Sequence, residues 1–340
     1  MRPFISYLSM TLLLCLLTSF ALSAKAKNQG EHHEIYSLTN GQPYTELPFR
    51  LINNLIVIPV VINGEKELNF ILDTGTSSPI LLNNKYVKDV SLPLGREVSF
   101  QGSGSGQRVN GHVISTMSLQ IGDALAKHIG GIVLDHSRSP LSNLRLEGHR
   151  IHGILGATLF RSFAVEIDYI TQTLRLHKGQ RFLDEHSYSA HTIHVEVSRP
   201  ILKSWVRLDE RDYCLNLMID TGFSDELLIY DPSVVNHIHG KLKHIGTGYS
   251  GHVKGSATKI NSIKLANRQL FNVNTYFPTK QSYKRAMENS NSSRDGIMGN
   301  ALLKQFCVVL DYAHEKFYIQ EHLLHKPALA KDHDSKKVAF

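Results

Sequence analysis

The stretch NLMIDTGFSDELLI, residues 216–229, decides the fold that we predict for this chain. Apolar residues lead straight into Asp220, and after a Thr-Gly pair the chain soon returns to an apolar run. A carboxylate at the end of a buried strand is costly unless a neighbouring group makes use of it. The stretch LNFILDTGTSSPILL, residues 68–82, shows the same pattern at Asp73. The sequence therefore presents two equivalent aspartates.

These two stretches belong to an internal repeat. Residues 68–82 and 215–229 are identical at seven of fifteen positions without a gap. A second pair, GILGATLFRSFAVEIDYITQTLRL from Gly153 and GIMGNALLKQFCVVLDYAHEKFYI from Gly296, is identical at eight of 24 positions. Because order and spacing both recur, the repeat predicts two similar lobes related by an approximate two-fold axis.

The ends of the chain differ from the lobes in composition. Arg2 precedes a mostly apolar run, and small residues suited to signal peptidase follow it, which predicts export to the periplasm or the medium; an uncleaved membrane anchor is the alternative. The next segment is a strand, a tether or a short pro-segment. We predict a signal peptide (1–23), an N-terminal segment (24–44), a first lobe (45–180), a second lobe (190–324) and a polar tail (325–340).

Apolar, β-branched runs predict lobes that consist mainly of strands. In NNLIVIPVVINGEKELNFILD, two such runs flank Asn63-Gly64, a dipeptide suited to a two-residue hairpin turn. The helical candidates are short: ATLFRSF and NALLKQF each follow a pair of glycines, with apolar residues about one helical turn apart.

Composition excludes several classes of partner. The chain has 42% apolar and 20% charged residues, which is typical of a globular protein. Its net charge is +7, but lysines and arginines are scattered, so we expect no nucleic-acid partner. The 19 histidines form no ligand framework, so we expect no metal or other cofactor. Beyond the signal peptide, Cys214 and Cys307 are either a disulfide pair or two buried thiols.

The two aspartates predict hydrolytic chemistry. The two-fold axis would bring Asp73 and Asp220 together, and carboxylates about 3 Å apart hold one proton between them over a broad acidic range. The ionised member can take a proton from a water molecule while the protonated member gives one to a carbonyl oxygen. The neighbouring residues fit this geometry: two glycines permit a tight turn beside the carboxylates, and two threonines can bind backbone across the lobe interface. These are Gly75, Gly222, Thr74 and Thr221.

At these residues the chain resembles the aspartic proteases of the pepsin and retropepsin superfamily, in a form with two retropepsin-like lobes on one chain. The resemblance implies two closed, barrel-like β lobes with a cleft between them, a peptide or protein substrate, a monomer, and Asp73 and Asp220 as the catalytic pair. It also implies a scaffold in each lobe, formed by Ile154, Leu155 and Gly156 and by Ile297, Met298 and Gly299. The candidates for flaps that close over a bound peptide are Gly102, Gly104, Gly106, Gly246, Gly248 and Tyr249.

Two departures from the family pattern affect these expectations. Thr76 can offer a hydroxyl to the carboxylate of Asp73, whereas the second lobe has Phe223 at the equivalent position. The first-lobe flap lacks the tyrosine of pepsin-like enzymes, and the nearest candidate is Tyr249 in the second lobe. The alternative function is therefore a peptide-binding or chaperone-like protein that has kept the cleft without catalysis.

Overall fold

The structure of the protein is a computed structural model, which describes residues 35–82, 85, 90, 92–100, 102–104, 106, 108–135, 140–179, 188–238, 240–283 and 293–321. The signal peptide (1–23) and the polar tail (325–340) that the sequence predicts lie outside the described residues. Within the described ranges, no helix has the length and apolar character needed to cross a bilayer.

Strands form most of the described chain, which confirms the predicted fold class. In the first half they are β1 (Ser37–Leu38), β2 (Tyr44–Pro48), β3 (Arg50–Ile52), β4 (Leu55–Ile62), β5 (Lys66–Leu72), β6 (Ile80–Leu81), β7 (Leu94–Phe100), β8 (Val109–Ile121), β9 (Ala124–Leu134), β10 (Arg145–Leu146), β11 (His149–Arg150), β12 (Gly153–Leu155), β13 (Ala164–Asp168) and β14 (Thr173–His177).

The second half repeats much of this series of strands. Its strands are β15 (Ser189–Thr192), β16 (His194–Glu196), β17 (Arg199–Leu208), β18 (Arg211–Asp220), β19 (Leu227–Ile229), β20 (Lys243–Gly248), β21 (Gly251–Leu265), β22 (Arg268–Pro278), β23 (Gly296–Gly299), β24 (Phe306–Asp311) and β25 (Lys316–Glu321). Short helices with defined bounds are α1 (Ala157–Ser162), α2 (Pro232–Val235) and α3 (Asn300–Leu303), and residues 280–283 are also helical.

The local predictions hold at the hairpins and helices. The turn between β4 and β5 contains Asn63 and Gly64 with positive φ of 51° and 71°, the values that a two-residue hairpin turn requires. In the equivalent hairpin of the second half, Asp209 has φ of 53° between β17 and β18. Helices α1 and α3 begin directly after Gly156 and Gly299.

Each half closes its main sheet into a ring with the same topology. In the first half, β4, β5, β12, β6, β9 and β8 pair in that order, and β8 then returns to β4. In the second half, β17, β18, β23, β19, β22 and β21 pair in the same order, and β21 returns to β17. The repeat in the sequence is therefore a repeat of two closed sheets, as the resemblance to the two-lobed proteases implies.

A third sheet joins the two rings. Its strand order is β15, β25, β24, β13, β14 and β2. The central pair is antiparallel, with Glu166 of β13 opposite Val309 of β24, so each lobe contributes one side of the sheet. The residues between the two predicted lobes, 181–189, lie largely outside the described residues, whereas β15 belongs to this sheet.

The ends and cysteines occupy defined places where the structure describes them. Strand β1 pairs with β9, and Tyr36 beside it is fully buried, so this part of the N-terminal segment is packed on the first lobe. Cys214 is exposed on β18 and Cys307 is buried on β24; both are free thiols. The disulfide alternative is therefore wrong in this structure, and the alternative of two buried thiols holds only for Cys307.

Candidate active site

Each candidate catalytic aspartate lies at the end of a central strand of its ring. Asp73 follows β5 directly, and its amide donates to the carbonyl oxygen of Leu155 on β12 at 2.9 Å. Asp220 is the last residue of β18 and is paired with Gly299 on the parallel strand β23. Because β5 and β18 are equivalent strands of the repeat, both carboxyl groups are presented at the junction between the lobes.

The two carboxyl groups meet at the glycines of the DTG motifs. A methyl carbon placed on Gly75 would lie 3.0 Å from Asp73 Oδ1 and 3.2 Å from Asp220 Oδ2, so these two oxygens are separated by no more than the sum of those distances. A methyl carbon on Gly222 would lie 2.6 Å from Asp73 Oδ1. A side chain at either position would therefore intrude between the carboxylates.

Backbone hydrogen bonds hold both aspartates in the same way. The amide of Gly75 donates to Asp73 Oδ1 at 2.7 Å, and the amide of Gly222 donates to Asp220 Oδ1 at 2.8 Å. Both aspartates are fully buried. Burial raises the pKa of each carboxyl above its usual range, and these amide bonds lower it only in part.

The side chains beside the two aspartates are different. Thr76 Oγ1 donates to Asp73 Oδ2 at 2.7 Å, whereas the equivalent Phe223 has no hydroxyl and is only 1% exposed. Burial raises the pKa of both carboxyls, but the threonine hydroxyl favours the charged form of Asp73 alone. Ionisation of the pair is therefore easier at Asp73 than at Asp220.

The two threonines of the DTG motifs link the lobes. The amide of Thr74 donates to Thr221 Oγ1 at 3.1 Å, and the amide of Thr221 donates to Thr74 Oγ1 at 3.0 Å. The hydroxyl of Thr74 in turn donates to the carbonyl of Ile219 at 2.7 Å, and that of Thr221 donates to the carbonyl of Leu72 at 2.9 Å. This closed set of four buried bonds fixes the relative position of the two aspartates.

The predicted scaffold residues divide into two groups. Ile154 and Ile297 are fully buried in the two smaller clusters, which also contain Tyr249 and Phe223, whereas Leu155 and Met298 pack in the main core. Only the first two are therefore placed to support pocket walls.

The two scaffold glycines allow close backbone contacts. A methyl carbon on Gly156 would lie 1.9 Å from the carbonyl oxygen of Thr76, and one on Gly299 would lie 2.4 Å from that of Phe223. The amide that follows each glycine donates to the same carbonyl oxygen, at 2.7 Å in the first lobe and 2.8 Å in the second. These contacts attach helices α1 and α3 to the turns that carry the aspartates.

The glycine-rich turns of the two lobes contact each other. The amide of Ser250 donates to the carbonyl of Ser103 at 3.0 Å, and the amide of Gly102 donates to Ser250 Oγ at 3.0 Å. A methyl carbon on Gly104 would lie 2.5 Å from the carbonyl oxygen of Gly251. The other flap candidates are placed at the same junction: Gly106 packs on Ser250, Gly248 packs on Ser103, and Gly246 precedes Gly248 on β20.

Tyr249 reaches from the second lobe into the first. It is fully buried and belongs to the same cluster as Ile71 and Ile154 of the first lobe. Its Cβ lies 2.5 Å from where a methyl carbon on Gly102 would stand. Burial raises the pKa of its hydroxyl well above the usual value, and the carboxylate of Asp73 raises it further. Tyr249 of the second lobe thus lies against the first-lobe turn.

A comparison with known protein families finds a match within the first lobe. Residues 58–159, from β4 to α1 and including Asp73, match the family described as Aspartyl protease. Among solved structures, the chain is similar to an aspartic proteinase from Irpex lacteus at 14% identity and a TM-score of 0.49, over 82% of this chain and 98% of that one. No curated protein matches the chain.

Two buried arginines next to the two aspartates were not predicted from the sequence. Arg199 Nε donates to the carbonyl of Gly75 at 3.1 Å, and burial lowers the pKa of its guanidinium to about 10. Arg294 is 3% exposed, and its Nη1 lies 3.3 Å from the sulfur of Met218. Their charges offset part of the rise in pKa that burial imposes on the aspartates. Nothing in the local sequence distinguishes them from surface arginines.

Asn300 is a further site residue that the sequence analysis missed. Its Nδ2 donates to the carbonyl of Thr221 at 2.6 Å, and its Oδ1 accepts from the hydroxyl of Tyr169 on the first lobe at 2.7 Å. The signal was available: the repeat has Ala157 at the equivalent place, and an amide at the start of an otherwise apolar helix is conspicuous. Asn300 connects the second DTG turn to the opposite lobe.

Proposed function

We propose that the mature chain is an exported aspartic endopeptidase that hydrolyses peptide bonds with Asp73 and Asp220. The observation that carries this proposal is the convergence of two fully buried carboxyl groups on the DTG glycines, each held by the same backbone hydrogen bond. A protein that only bound peptides would have no chemical need for this pair. The family match of the first lobe and the repeat of its motif in the second support the same function.

The proposed reaction uses one proton shared by the two carboxyls. Asp73 is ionised first, because the hydroxyl of Thr76 stabilises its charged form, and Asp220 keeps the proton. Asp73 then takes a proton from a water molecule between the carboxyls while Asp220 donates its proton to the carbonyl oxygen of the peptide bond. Attack of the water forms a tetrahedral diol, which breaks down as a proton passes to the leaving nitrogen, without a covalent bond to the protein.

Access to this pair requires movement of the glycine-rich turns. The aspartates have no exposed surface, and Gly102 and Ser103 of the first-lobe turn form hydrogen bonds with Ser250 of the second-lobe hairpin. An extended peptide therefore reaches the carboxyls only after these turns separate and Tyr249 leaves the first-lobe cluster. The turns would then act as flaps, as the resemblance implies.

The proposal is tested by incubating the purified protein without residues 1–23 with a mixed peptide library at acidic to neutral pH. Mass spectrometry should detect discrete cleavage products that are absent with the Asp73→Asn variant. A statine-containing inhibitor should also bind and raise the melting temperature, because it resembles the tetrahedral intermediate. Cleavage that persists in the variant would contradict the mechanism.

A peptide-binding protein without catalysis is the second candidate, and the buried Phe223, which stands where the first lobe has the hydroxyl of Thr76, favours it. That function predicts saturable binding of library peptides with no products at any pH.

Export is tested separately, by finding whether the mature protein in its host begins near residue 24 and lies outside the cytoplasm.

A further inference from the structure

Equivalent hairpins precede the strands that carry the two aspartates. In the first lobe, β3 and β4 form a hairpin in which Ile52 pairs with Leu55 across a two-residue turn. In the second lobe, β16 and β17 form the same hairpin, and Glu196 pairs with Arg199. Arg199 therefore stands where the first lobe has Leu55.

Pairing with the next strand gives the same correspondence. In each lobe, the residue two positions after Leu55 or Arg199 pairs with the residue two positions before the aspartate. These pairs are Val57 with Ile71 and Ile201 with Met218. Two registers thus agree on the equivalence of the leucine and the arginine.

The two side chains have different surroundings. Leu55 is fully buried in an apolar cluster of its own lobe, together with Ile71 and Tyr249. Arg199 is 2% exposed, and its Nε donates to the carbonyl oxygen of Gly75 in the opposite lobe at 3.1 Å. The second lobe thus reaches the catalytic turn of the first through a hydrogen bond that a leucine cannot make in return.

This bond is made to the peptide group between the two residues that hold Asp73. The amide of Gly75 donates to Asp73 Oδ1 at 2.7 Å, and the hydroxyl of Thr76 donates to Asp73 Oδ2 at 2.7 Å. The carbonyl of Gly75 and the amide of Thr76 form one planar group, and that amide donates to the carbonyl of Asp73 at 3.3 Å. Fixing the oxygen of this group therefore restrains both donors to the carboxylate.

The turn that precedes Arg199 adopts an unfavourable conformation. Val197 and Ser198 have positive φ of 48° and 68°, and the equivalent Asn53 and Asn54 have 50° and 61°. Asparagine tolerates this left-handed region, whereas a β-branched valine does not. Such a conformation persists only where the surrounding structure imposes it, and it is often found next to a functional residue.

A side chain on the same hairpin fastens this turn to the rest of the second lobe. The amide of Ser293 donates to Glu196 Oε2 at 3.1 Å, and its hydroxyl donates to Glu196 Oε1 at 2.7 Å. Ser293 leads into β23, on which Gly299 is paired with Asp220. The hairpin that carries Arg199 is therefore attached to the strand beside the second aspartate.

The guanidinium of Arg199 is a cation throughout the acidic range. Burial, and next the charge of Arg294, lower its pKa to about 10. The other titratable groups that act on it are Asp73, Tyr230 and Tyr312, and each raises that pKa. Burial raises the pKa of Asp73, and the charge of Arg199 opposes this rise.

We propose that Arg199 is a positioning residue, through which the second lobe holds the catalytic turn of the first and fixes Asp73 by the hydrogen bond to the carbonyl of Gly75. The proposal rests on the proposed function, since it concerns the carboxyl that takes the proton from water. Its consequence is that Asp73 has a cation of the opposite lobe attached to its turn, whereas the equivalent position for Asp220 is the apolar Leu55.

The first test measures the pH–rate profile of Arg199→Met, which keeps a chain of similar reach without the charge or the donor. The acidic limb should move to higher pH by roughly half a unit, because the one-proton state then forms at higher pH. kcat should fall about tenfold while KM changes by less than about twofold, since Arg199 acts on Asp73 rather than on the peptide. An acidic limb that stays in place would overturn the proposal.

Two further variants separate charge from packing. Arg199→Lys retains a cation without the planar donor, so it should restore the position of the acidic limb and only part of kcat. Arg207→Met is the matched control and should leave the profile unchanged, because Arg207 lies on the same strand but is exposed and paired with Asp212 at 3.9 Å. A limb displaced as far in Arg199→Lys as in Arg199→Met would contradict the role of the charge. Circular dichroism checks folding, and Arg199→Leu, which introduces the residue of the first lobe, replaces Arg199→Met if that variant does not fold.

A measurement that needs no turnover distinguishes this proposal from the proposed function. The side-chain carboxyl carbons of the aspartates are titrated by carbon-13 NMR in the free protein, and the signals of the pair are identified by their loss in Asp73→Asn and Asp220→Asn. The first ionisation of the pair should require a higher pH in Arg199→Met than in the wild-type protein. That shift supports the positioning role even if no peptide is hydrolysed, whereas an unchanged titration would overturn it whatever the rates show.

Discussion

The two lobes present the same backbone to the catalytic pair and different side chains around it. Asp73 and Asp220 accept equivalent amide bonds, and Thr74 and Thr221 exchange equivalent bonds across the interface. Around this symmetric centre, one lobe supplies a hydroxyl and an apolar cluster, and the other supplies Phe223 and two buried arginines.

This comparison separates two requirements of a shared site. The geometry of two converging carboxyls depends on hydrogen bonds that need a partner in each lobe, so a change in one lobe alone would break it. The charge and the polarity of the side chains around the carboxyls need no partner in the other lobe. Substitutions in one lobe can therefore change them independently. We therefore expect substitutions in the symmetric set to have equal effects in both lobes, and substitutions around it to have unequal ones.

The largest effect is expected from the carboxyls themselves. Asp73→Asn and Asp220→Asn should each reduce kcat/KM by about four orders of magnitude, because an amide cannot serve as the acid or base of the shared-proton pair. The two losses should agree within about a factor of ten. Steady-state kinetics on a library-derived peptide measures both, and circular dichroism checks that the near-isosteric variants fold. Substantial activity in either one would break the symmetry on which the mechanism depends.

The next effect concerns the cross-lobe threonines. Thr74→Val and Thr221→Val each leave an amide and a carbonyl group without their buried partner, so each should lower the free energy of unfolding by about 3 kcal/mol. Urea denaturation followed by fluorescence measures this. Thr275→Val is the control, since this buried hydroxyl donates to Val273 within its own lobe; its cost should be about 1 kcal/mol. Equal losses of unfolding free energy in all three variants would show that a cross-lobe hydrogen bond stabilises the protein no more than one within a single lobe.

A smaller and unequal effect should appear in the pH dependence of stability. Burial raises the pKa of both aspartates above the unfolded value, so the folded state binds more protons and stability falls as the pH rises through that window. Asp220→Asn should therefore stabilise the protein at neutral pH by on the order of 2 kcal/mol, and Asp73→Asn by less. The gain should vanish in acid, below the ordinary carboxyl pKa. Thermal unfolding across pH measures it; a gain that persists in acid would contradict the account.

The smallest effect is expected from the asymmetric neighbours. Phe223→Thr adds a hydroxyl beside Asp220 and should move the acidic limb of the pH–rate profile to lower pH by roughly half a unit, because the one-proton state then forms at lower pH. Thr76→Ala removes the bond at 2.7 Å to Asp73 and should move the same limb to higher pH. If both variants change only the maximal rate, these side chains act through packing and the electrostatic explanation is wrong.

The sequence was sufficient to predict features that depend on local pattern and on the repeat. The Asn63-Gly64 turn, the short helices after paired glycines and the placement of both aspartates at strand ends all follow from residues close together in the chain. The repeat then predicted an approximate two-fold axis between the lobes, because two copies of one motif can meet at such an axis.

Features that depend on the approach of distant segments were not predictable in this way. Tyr249 could be named as the nearest tyrosine, but its position inside the first lobe depends on contact between two turns. Arg199 and Arg294 are buried because strand register places them where the first lobe has Leu55 and Ile151. The direction of Leu155, away from the cleft, follows from alternation along β12, which a three-residue strand hardly reveals.

The central claim is that Asp73 and Asp220 act as one hydrolytic pair, and the most direct test is kcat/KM as a function of pH for the wild-type protein on one cleaved peptide. The account predicts a bell-shaped profile with its maximum at acidic pH, where the pair holds one proton, falling when the pair gains a second proton or loses the one it has. Activity that rises steadily towards alkaline pH, or the same profile in Asp73→Asn, would contradict it.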